Sequence, residues 1–216
     1  MKQSIAILIL ITLFMSCTSD DEINGSGNLI TESRDVDAFS KVSSEGVFEV
    51  VITQGSPQSV EITADDNIMN KVKTRVISDE LQLYLDDDYN YSGITLQAKI
   101  SAEALNGIMN SGVGDMEISN VNENGAFSID NFGTGNITIE GSAASLNVVS
   151  EGTGNISAFD FFVEDCSIDI LGTGFVQTNC SDNLDITIEG SGDVYYKGNP
   201  TINTSITGSG SVIDAN

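Results

Sequence analysis

The sequence predicts an all-β chain: a single-stranded parallel β-helix of about 19 residues per coil, entered through irregular N-terminal coils or a small β cap. Two observations carry this. Six G-x-G triplets punctuate the second half, with first glycines at Gly112, Gly133, Gly152, Gly172, Gly190 and Gly208 and spacings of 21, 19, 20, 18 and 18 residues. A fixed period in this range marks a solenoid. Around each triplet, polarity alternates with the same parity in every repeat. Four residues before the first glycine stand Ile108, Ile129, Val148, Ile168, Ile186 and Thr204, and four after it Met116, Ile137, Ile156, Val176, Val194 and Val212. Odd offsets are mostly polar, as in Ser128, Asn147, Ser167, Asp185 and Asn203. Strand side chains alternate faces, so the even offsets line a core and the odd ones meet water.

From the N-terminus, Lys2 precedes the apolar run Ile5 to Phe14, then Met15, Ser16 and Cys17. About ten apolar residues are too few to span a bilayer, so residues 1–16 read as an export signal. The stretch Leu13-Phe14-Met15-Ser16-Cys17 looks like a lipobox, with Cys17 as the residue that receives the lipid. Thr18-Ser19-Asp20-Asp21-Glu22 resembles the acidic signal that sends some Gram-negative lipoproteins to the outer face of the outer membrane, and residues 17–29 as a whole read as an acidic flexible tether. An N-terminal β region over 30–105 follows. Its strands are Phe48-Glu49-Val50, Val60-Glu61-Ile62, Val72 to Val76, Leu81 to Leu85 and Ile94 to Ile100, with turns at Ser78-Asp79-Glu80 and Asp86 to Gly93. These strands either begin the same solenoid or form an antiparallel cap on it, and continuity is the preferred reading because a solenoid end must be covered. The repeat β-helix occupies 106–216. Both glycines of each triplet fall at core-facing parity, which marks a corner without room for Cβ or a turn with positive φ. Nothing after Val212 reads as a cap, and an uncovered edge invites self-association or a partner.

Charge and composition exclude several functions. With 32 Asp+Glu against 8 Lys+Arg, the formal charge is −24, which repels phosphate backbones and anionic membranes alike. No nucleic-acid partner is expected, and the only membrane contact is through the lipid. There is no His, and the Cys residues stand apart at 17, 166 and 180, so neither a His-containing zinc site nor a His-based triad can be built. Cys166 lies in the core column and Cys180 at a turn offset, which predicts two free thiols.

The layout of lipoprotein signal, alternating first half with Phe39-Ser40-Lys41-Val42 and Val50 to Gly55, and repeated elements at Gly133 to Ile137, Gly152 to Ile156 and Gly190 to Val194 resembles the bacterial head GIN domain family of autotransporter-adhesin heads. The resemblance covers about Ile30 to Asn216. It implies a right-handed β-helix at the cell surface and brings no catalytic residues with it.

Candidate chemistry is sparse. β-Helical polysaccharide lyases use an Arg or Lys beside an acidic Ca²⁺ cluster, but beyond Lys99 the only basic residue is Lys197. Asp130, Asp169 and Asp185 point outward, and isolated acids on so acidic a surface are ordinarily solvated, so no enzyme and no cofactor is expected. The residue after each second glycine runs Asp115, Asn136, Asn155, Phe175, Asp193, Ser211. The likeness to calcium-binding nonapeptide repeats is superficial, and Asx side chains bonding backbone at a turn explain the column better. Asp86, Asp87 and Asp88, with Tyr89 and Tyr91, could chelate an ion or meet a sugar, the plainer reading being an acidic loop tip. Lys71, Lys73 and Arg75 share one strand face and are expected to pair with acidic neighbours across it. The triplets' middle residues form an outward hydroxyl row, and Thr134, Asn136, Thr153, Asn155, Thr173, Ser191 and Tyr195 make up a candidate contact face, interrupted by Leu171 and Phe175. Regular Thr rows can order water or ice, or receive saccharide hydroxyls. The leading expectation is a non-enzymatic surface lipoprotein, adhesin-like, with a glycan or protein as ligand. The alternatives are a glycan-binding module or carbohydrate-active enzyme, and a self-assembling envelope component that forms homo-oligomers.

Overall fold

The computed structural model describes residues 22–216. The expected signal segment, Cys17 and the start of the tether lie outside the described residues. The strands are β1 (Glu22–Asn24), β2 (Leu29–Ser33), β3 (Lys41–Ser44), β4 (Glu49–Gln54), β5 (Ser59–Asp65), β6 (Val72–Ile77), β7 (Glu80–Leu85), β8 (Asn90–Ser92), β9 (Leu96–Ala102) and β10 (Gly107–Asn110). They continue with β11 (Met116–Asn122), β12 (Ala126–Asn131), β13 (Ile137–Ser142), β14 (Ser145–Ser150), β15 (Ile156–Ile170), β16 (Val176–Ile188), β17 (Val194–Lys197), β18 (Thr201–Ile206) and β19 (Val212–Asp214). One 3₁₀ turn, Met69–Lys71, precedes β6. Seventeen of these strands form one sheet, wound as a parallel β-solenoid of about 5 turns with about 20 residues per turn.

The repeat half stacks as the parity requires. On one face, Ile108, Ile129, Val148, Ile168, Ile186 and Thr204 lie over one another through β10, β12, β14, β15, β16 and β18. On the other, Met116, Ile137, Ile156, Val176, Val194 and Val212 do the same. From Met116 to Val194 every member of the second column is at most 1 % exposed. Aliphatic side chains sit over their own counterparts, which removes both faces of each from water and is the main source of stability.

The N-terminal half contains both arrangements that the sequence leaves open. β3 and β4 lie parallel against β10 and β11, with Val42 beside Ile108 and Ile52 beside Ile118. β7 and β9 lie parallel on the far side of β3 and β4, so the rung at 80–102 is outermost although it comes later in the chain. β5 then runs antiparallel to β9, and β6 antiparallel to β7. The cause of the reversal between β6 and β7 is local. Ser78 and Asp79 have φ of 52° and 64°, the two positive values of a two-residue hairpin turn, and such a turn joins antiparallel strands only.

The part of the expected flexible tether that is described, residues 22–29, is folded against the domain. β1 pairs with β8 inside the stretch expected to be a plain turn. Asp65 Oδ1 accepts from Gly27 N at 2.6 Å, and the Asp66 carboxylate accepts from Ser26 Oγ at 2.6 Å and Asn28 Nδ2 at 2.8 Å. Gly and Ser gave the segment its flexible signature, but two consecutive carboxylates some forty residues away hold its backbone down.

Candidate binding surface

The triplet glycines build a corner in which successive backbones touch. A Cβ placed on Gly152 would fall within bonding range of the Gly133 carbonyl oxygen, and one on Gly133 would meet that of Gly112 in the same way. None of the twelve triplet glycines has a positive φ, so close approach alone demands them. This tight corner fixes the rung spacing for everything outside it.

The Asx column just beyond the corner is spent on backbone. Asp115 Oδ1 accepts from Asn136 N at 2.6 Å, Asn136 Oδ1 from Asn155 N at 3.1 Å, and Asn155 Oδ1 from Phe175 N at 3.1 Å. Asp193 Oδ1 accepts from Ser211 N at 2.8 Å after the interruption. Rung-to-rung capping therefore accounts for this column without a metal ion. A second ladder runs inside: Asn110, 1 % exposed, accepts from Gly112 N and donates to Gly114 O, both at 3.0 Å, and Asn131 donates to Gly135 O at 3.2 Å.

With Asn136 and Asn155 so engaged, the contact face expected from the sequence divides. Thr134, Thr153, Thr173 and Ser191 are exposed in one column, flanked by the exposed apolar groups Val113, Phe132 and Leu171. Tyr195 is half-buried, its ring edge-on to Phe175 at 5.9 Å, and Tyr196 packs against the core as parity requires.

Asp86, Asp87 and Asp88 bring carboxylate oxygens within 4.8 Å of one another at the opposite end of the solenoid. Asp86 faces Lys73 at 3.7 Å, and its carbonyl accepts from the Tyr91 hydroxyl at 2.7 Å. The tip borders a groove of about 520 Å³ lined by Glu45, Val47, Leu85, Tyr89, Tyr91 and Ile94. Lys71 lies 3.7 Å over the Tyr89 ring, and Arg75 lies over Tyr84 while donating to Gln82. Of the three basic residues expected to pair with acidic neighbours, Lys73 on β6 does so, whereas Lys71, in the 3₁₀ turn before it, lies over an aromatic ring and Arg75 over another. Burial raises the Tyr91 hydroxyl pKa, with the Asp86 charge adding to it, so that phenol stays protonated and able to donate.

A second groove, of about 480 Å³, escaped the sequence reading. Phe162, Val163, Asn179, Cys180 and Gly198 line it, and Phe162 is 57 % exposed. The signal was there in the spacing of 20 residues between Gly152 and Gly172 against 18 in the next coil. The longer coil bulges between Ala158 and Phe162, where the register shifts. Cys166 and Cys180 are both free and buried; burial pushes the Cys166 thiol up to about 12 and raises that of Cys180 as well.

Residues 38–200 match the family described as "Putative auto-transporter adhesin, head GIN domain". The chain belongs to this family. A "putative adhesin" from Bacteroides fragilis NCTC 9343 has a similar crystal structure, with 26 % identity, coverage of 89 % of this chain and 99 % of that one, and a TM-score of 0.71. A "putative lipid binding protein" from Parabacteroides distasonis ATCC 8503 matches at 22 % identity over 91 % and 100 % of the two chains with a TM-score of 0.56, which speaks for the fold alone. The same holds for a "putative adhesin" from Parabacteroides merdae ATCC 43184, at 20 % identity, the same coverage and a TM-score of 0.54. No functionally curated protein matches the chain. Here, then, a head GIN domain presents a row of hydroxyls on one corner and a tyrosine-lined groove near its capped end.

Proposed function

We propose that this head GIN domain is a non-enzymatic lipoprotein, anchored through Cys17 to the outer membrane, displayed at the cell surface and adhesin-like in presenting its solenoid face to a ligand. The observation that carries the reading is the division of labour at the corner. Glycine contacts and the Asx ladder hold the rungs rigidly, while Thr134, Thr153, Thr173 and Ser191 stand outward in register. A preorganised, repeated array loses little entropy on contact, which suits a surface making many weak bonds at once. The family's description and the name of the Bacteroides fragilis relative support the adhesin-like part of the reading. Three measurements test it. Labelled fatty acid should be incorporated by the chain and not by a Cys17→Ala variant, protease added to intact cells should degrade it, and Thr153→Glu with Thr173→Glu should abolish binding to immobilised surface ligands. Turnover of any polysaccharide by the purified chain would refute the non-enzymatic part.

The tyrosine groove favours a second reading, a glycan-binding module. Tyr89 and Tyr91 have ring centroids 6.3 Å apart and sit beside Glu45, Asp86 and Asp87, the combination of apolar faces and acceptors that sugar rings and hydroxyls require. Glycan-array binding that survives high salt and is lost in Tyr91→Ala would select this reading over the corner array.

A further inference from the structure

We propose that the last rung is an interface between two copies of this chain, with β18 pairing antiparallel to β18 of a second copy so that two solenoids close end to end about a twofold axis. The proposal goes beyond the ligand reading above and does not depend on it.

The core is open at this end. Ile202 lies beside Leu184 and Ile206 beside Ile188, in columns whose inner members are fully buried, yet the two are 38 % and 44 % exposed. Among the described residues nothing covers them. Asn216 is turned back sideways, its side chain accepting from Gly198 N at 2.9 Å and donating to Gly198 O at 3.0 Å.

The free edge also has a definite hydrogen-bonding direction. Residues at outward parity donate to the preceding rung, as Thr207 N does to Ile188 O and Ser128 N to Asn106 O. Successive residues of a strand direct their N–H and C=O groups to opposite sides. The N–H and C=O of Ile202, Thr204 and Ile206 therefore point out of the open end, and the side chains of these same residues line the core.

This triplet is self-complementary. An antiparallel partner centred on Thr204 sets Thr204 opposite itself and Ile202 opposite Ile206 of the second copy, apolar against apolar on the core side. On the solvent side it sets Asn203 opposite Ser205. The contact is thus isologous, the form that closes as a dimer rather than extending.

Charge favours this occupant over others. The formal charge of −24 holds copies apart in general, but β18 carries no charge, the one carboxylate side chain on the rung's other strand, Asp214 of β19, accepts from Asn216 N at 3.0 Å and Asn216 Nδ2 at 2.7 Å, and the carboxylate one rung in, Asp185, accepts from Asn203 Nδ2 at 3.2 Å. The other end differs. Its edge on the face of β18 is β6, which carries Lys73 and Arg75 with Lys71 just before it, and its edge on the other face is β2, which carries Glu32; charged edges block strand addition. Head-to-tail pairing of β18 with β6, which would give filaments, meets that guard.

The test is sedimentation equilibrium of the full chain in a density-matched detergent, with melting followed by circular dichroism. The unsubstituted chain should reach twice its own monomer mass, which is 22.8 kDa for the unprocessed 216 residues. Thr204→Lys sets two ammonium groups opposite each other, and Thr204→Pro removes an N–H that only the partner uses, so both should be monomeric and should melt cooperatively, near the temperature that the parent shows when diluted to monomer. Thr187→Lys, one rung in and outward, should leave the dimer intact. A chain monomeric at every concentration, a mass that climbs without limit, or a dimer that survives both Thr204 variants would each overturn the proposal. If a Thr204 variant loses the fold, Asn203→Cys with Ser205→Cys replaces it: oxidation should give a covalent dimer absent from the unsubstituted chain, and failure to cross-link rejects the register.

Discussion

Between β10 and β19 every rung sits on the one before it in the chain, whereas between β3 and β9 the rung at 41–54 has later residues on both sides, 80–102 outward and 107–122 inward. Both halves fill one core with the same kinds of side chain, so hydrophobic parity does not separate them. What differs is the device that sets register. In the repeat half it is the glycine corner, repeated in every coil, with Asx ladders along part of its length. In the N-terminal half it is a pair of antiparallel strands turned back by a tight hairpin, which caps the core. The difference teaches that burial fixes which face a residue shows, and turn chemistry fixes which rung it lies beside.

The sharpest way to break this contrast is one substitution made in both halves. Gly152→Ala pushes a methyl into the Gly133 carbonyl, and neither backbone can withdraw without opening the stack. We expect a loss of at least about 3 kcal/mol, at the upper end for overpacking, or a melting temperature lower by roughly 6–12 °C for a chain of this size. Gly55→Ala adds a Cβ 3.8 Å from Ser101 Oγ, an ordinary contact, and should leave the melt within about 2 °C of the parent or slightly above it. Equal losses at both sites would show that the corner is not special.

This asymmetry also explains how much was legible. The repeat half could be read almost residue by residue, because period and parity repeat over many coils and each repetition checks the last. The strands of the N-terminal half were equally visible as alternation. Their order in space was not, since nothing in Val42, Val50 or Ala98 says which aliphatic residue it will touch. The chain reverses between β4 and β5 and again between β6 and β7; the positive φ at Ser78 and Asp79 decides the second reversal, and those residues announce a turn without its type. Of the candidate surface, the hydroxyl row followed from parity, while the tyrosine groove needed the loop at 86–93 to fold beside Glu45 and Val47. The packing of 22–28 rests on Asp65 and Asp66, remote in sequence, and no local signal could reveal it.

The interior ladder gives the next largest effect. Asn110→Ala strands both Gly112 N and Gly114 O, where Asn131→Ala strands Gly135 O alone and at the same time removes an Oδ1 that has no hydrogen-bond partner. At roughly 1–3 kcal/mol for a stranded buried group, urea unfolding should place Asn110→Ala about 2 kcal/mol below the parent and Asn131→Ala about 1 kcal/mol or less. A reversed order would mean that the inner ladder does not carry the corner. On the N-terminal side, Asp79→Val puts a β-branched residue at a φ of 64° and should cost about 1–2 kcal/mol through the hairpin alone. Hydrogen exchange should then rise first in β6, with β12 to β16 keeping their protection.

The smallest effects separate the two halves by pH. Hydrogen bonds from Ser26 and Asn28 lower the Asp66 pKa below its usual value of 3.8. A depressed carboxylate favours the folded state above its unfolded pKa, and the benefit disappears as pH falls through the folded value. Acidification below about 3.8 should therefore speed amide exchange at residues 26–28 before the solenoid melts, and Asp66→Asn should do so at neutral pH. Asp130, in the repeat half, has the opposite sign. Burial raises its pKa, against the pull of Lys41 and with a push from Glu80. Its protonated form suits the fold, so its contribution is complete below the unfolded pKa and is lost as pH rises through the raised one. Asp130→Asn should accordingly flatten the decline in melting temperature across that window without touching exchange at 26–28. If instead both variants changed the same amides, the two halves would be one cooperative unit on this timescale, and the capped end would owe its order to the stack rather than to its own carboxylates.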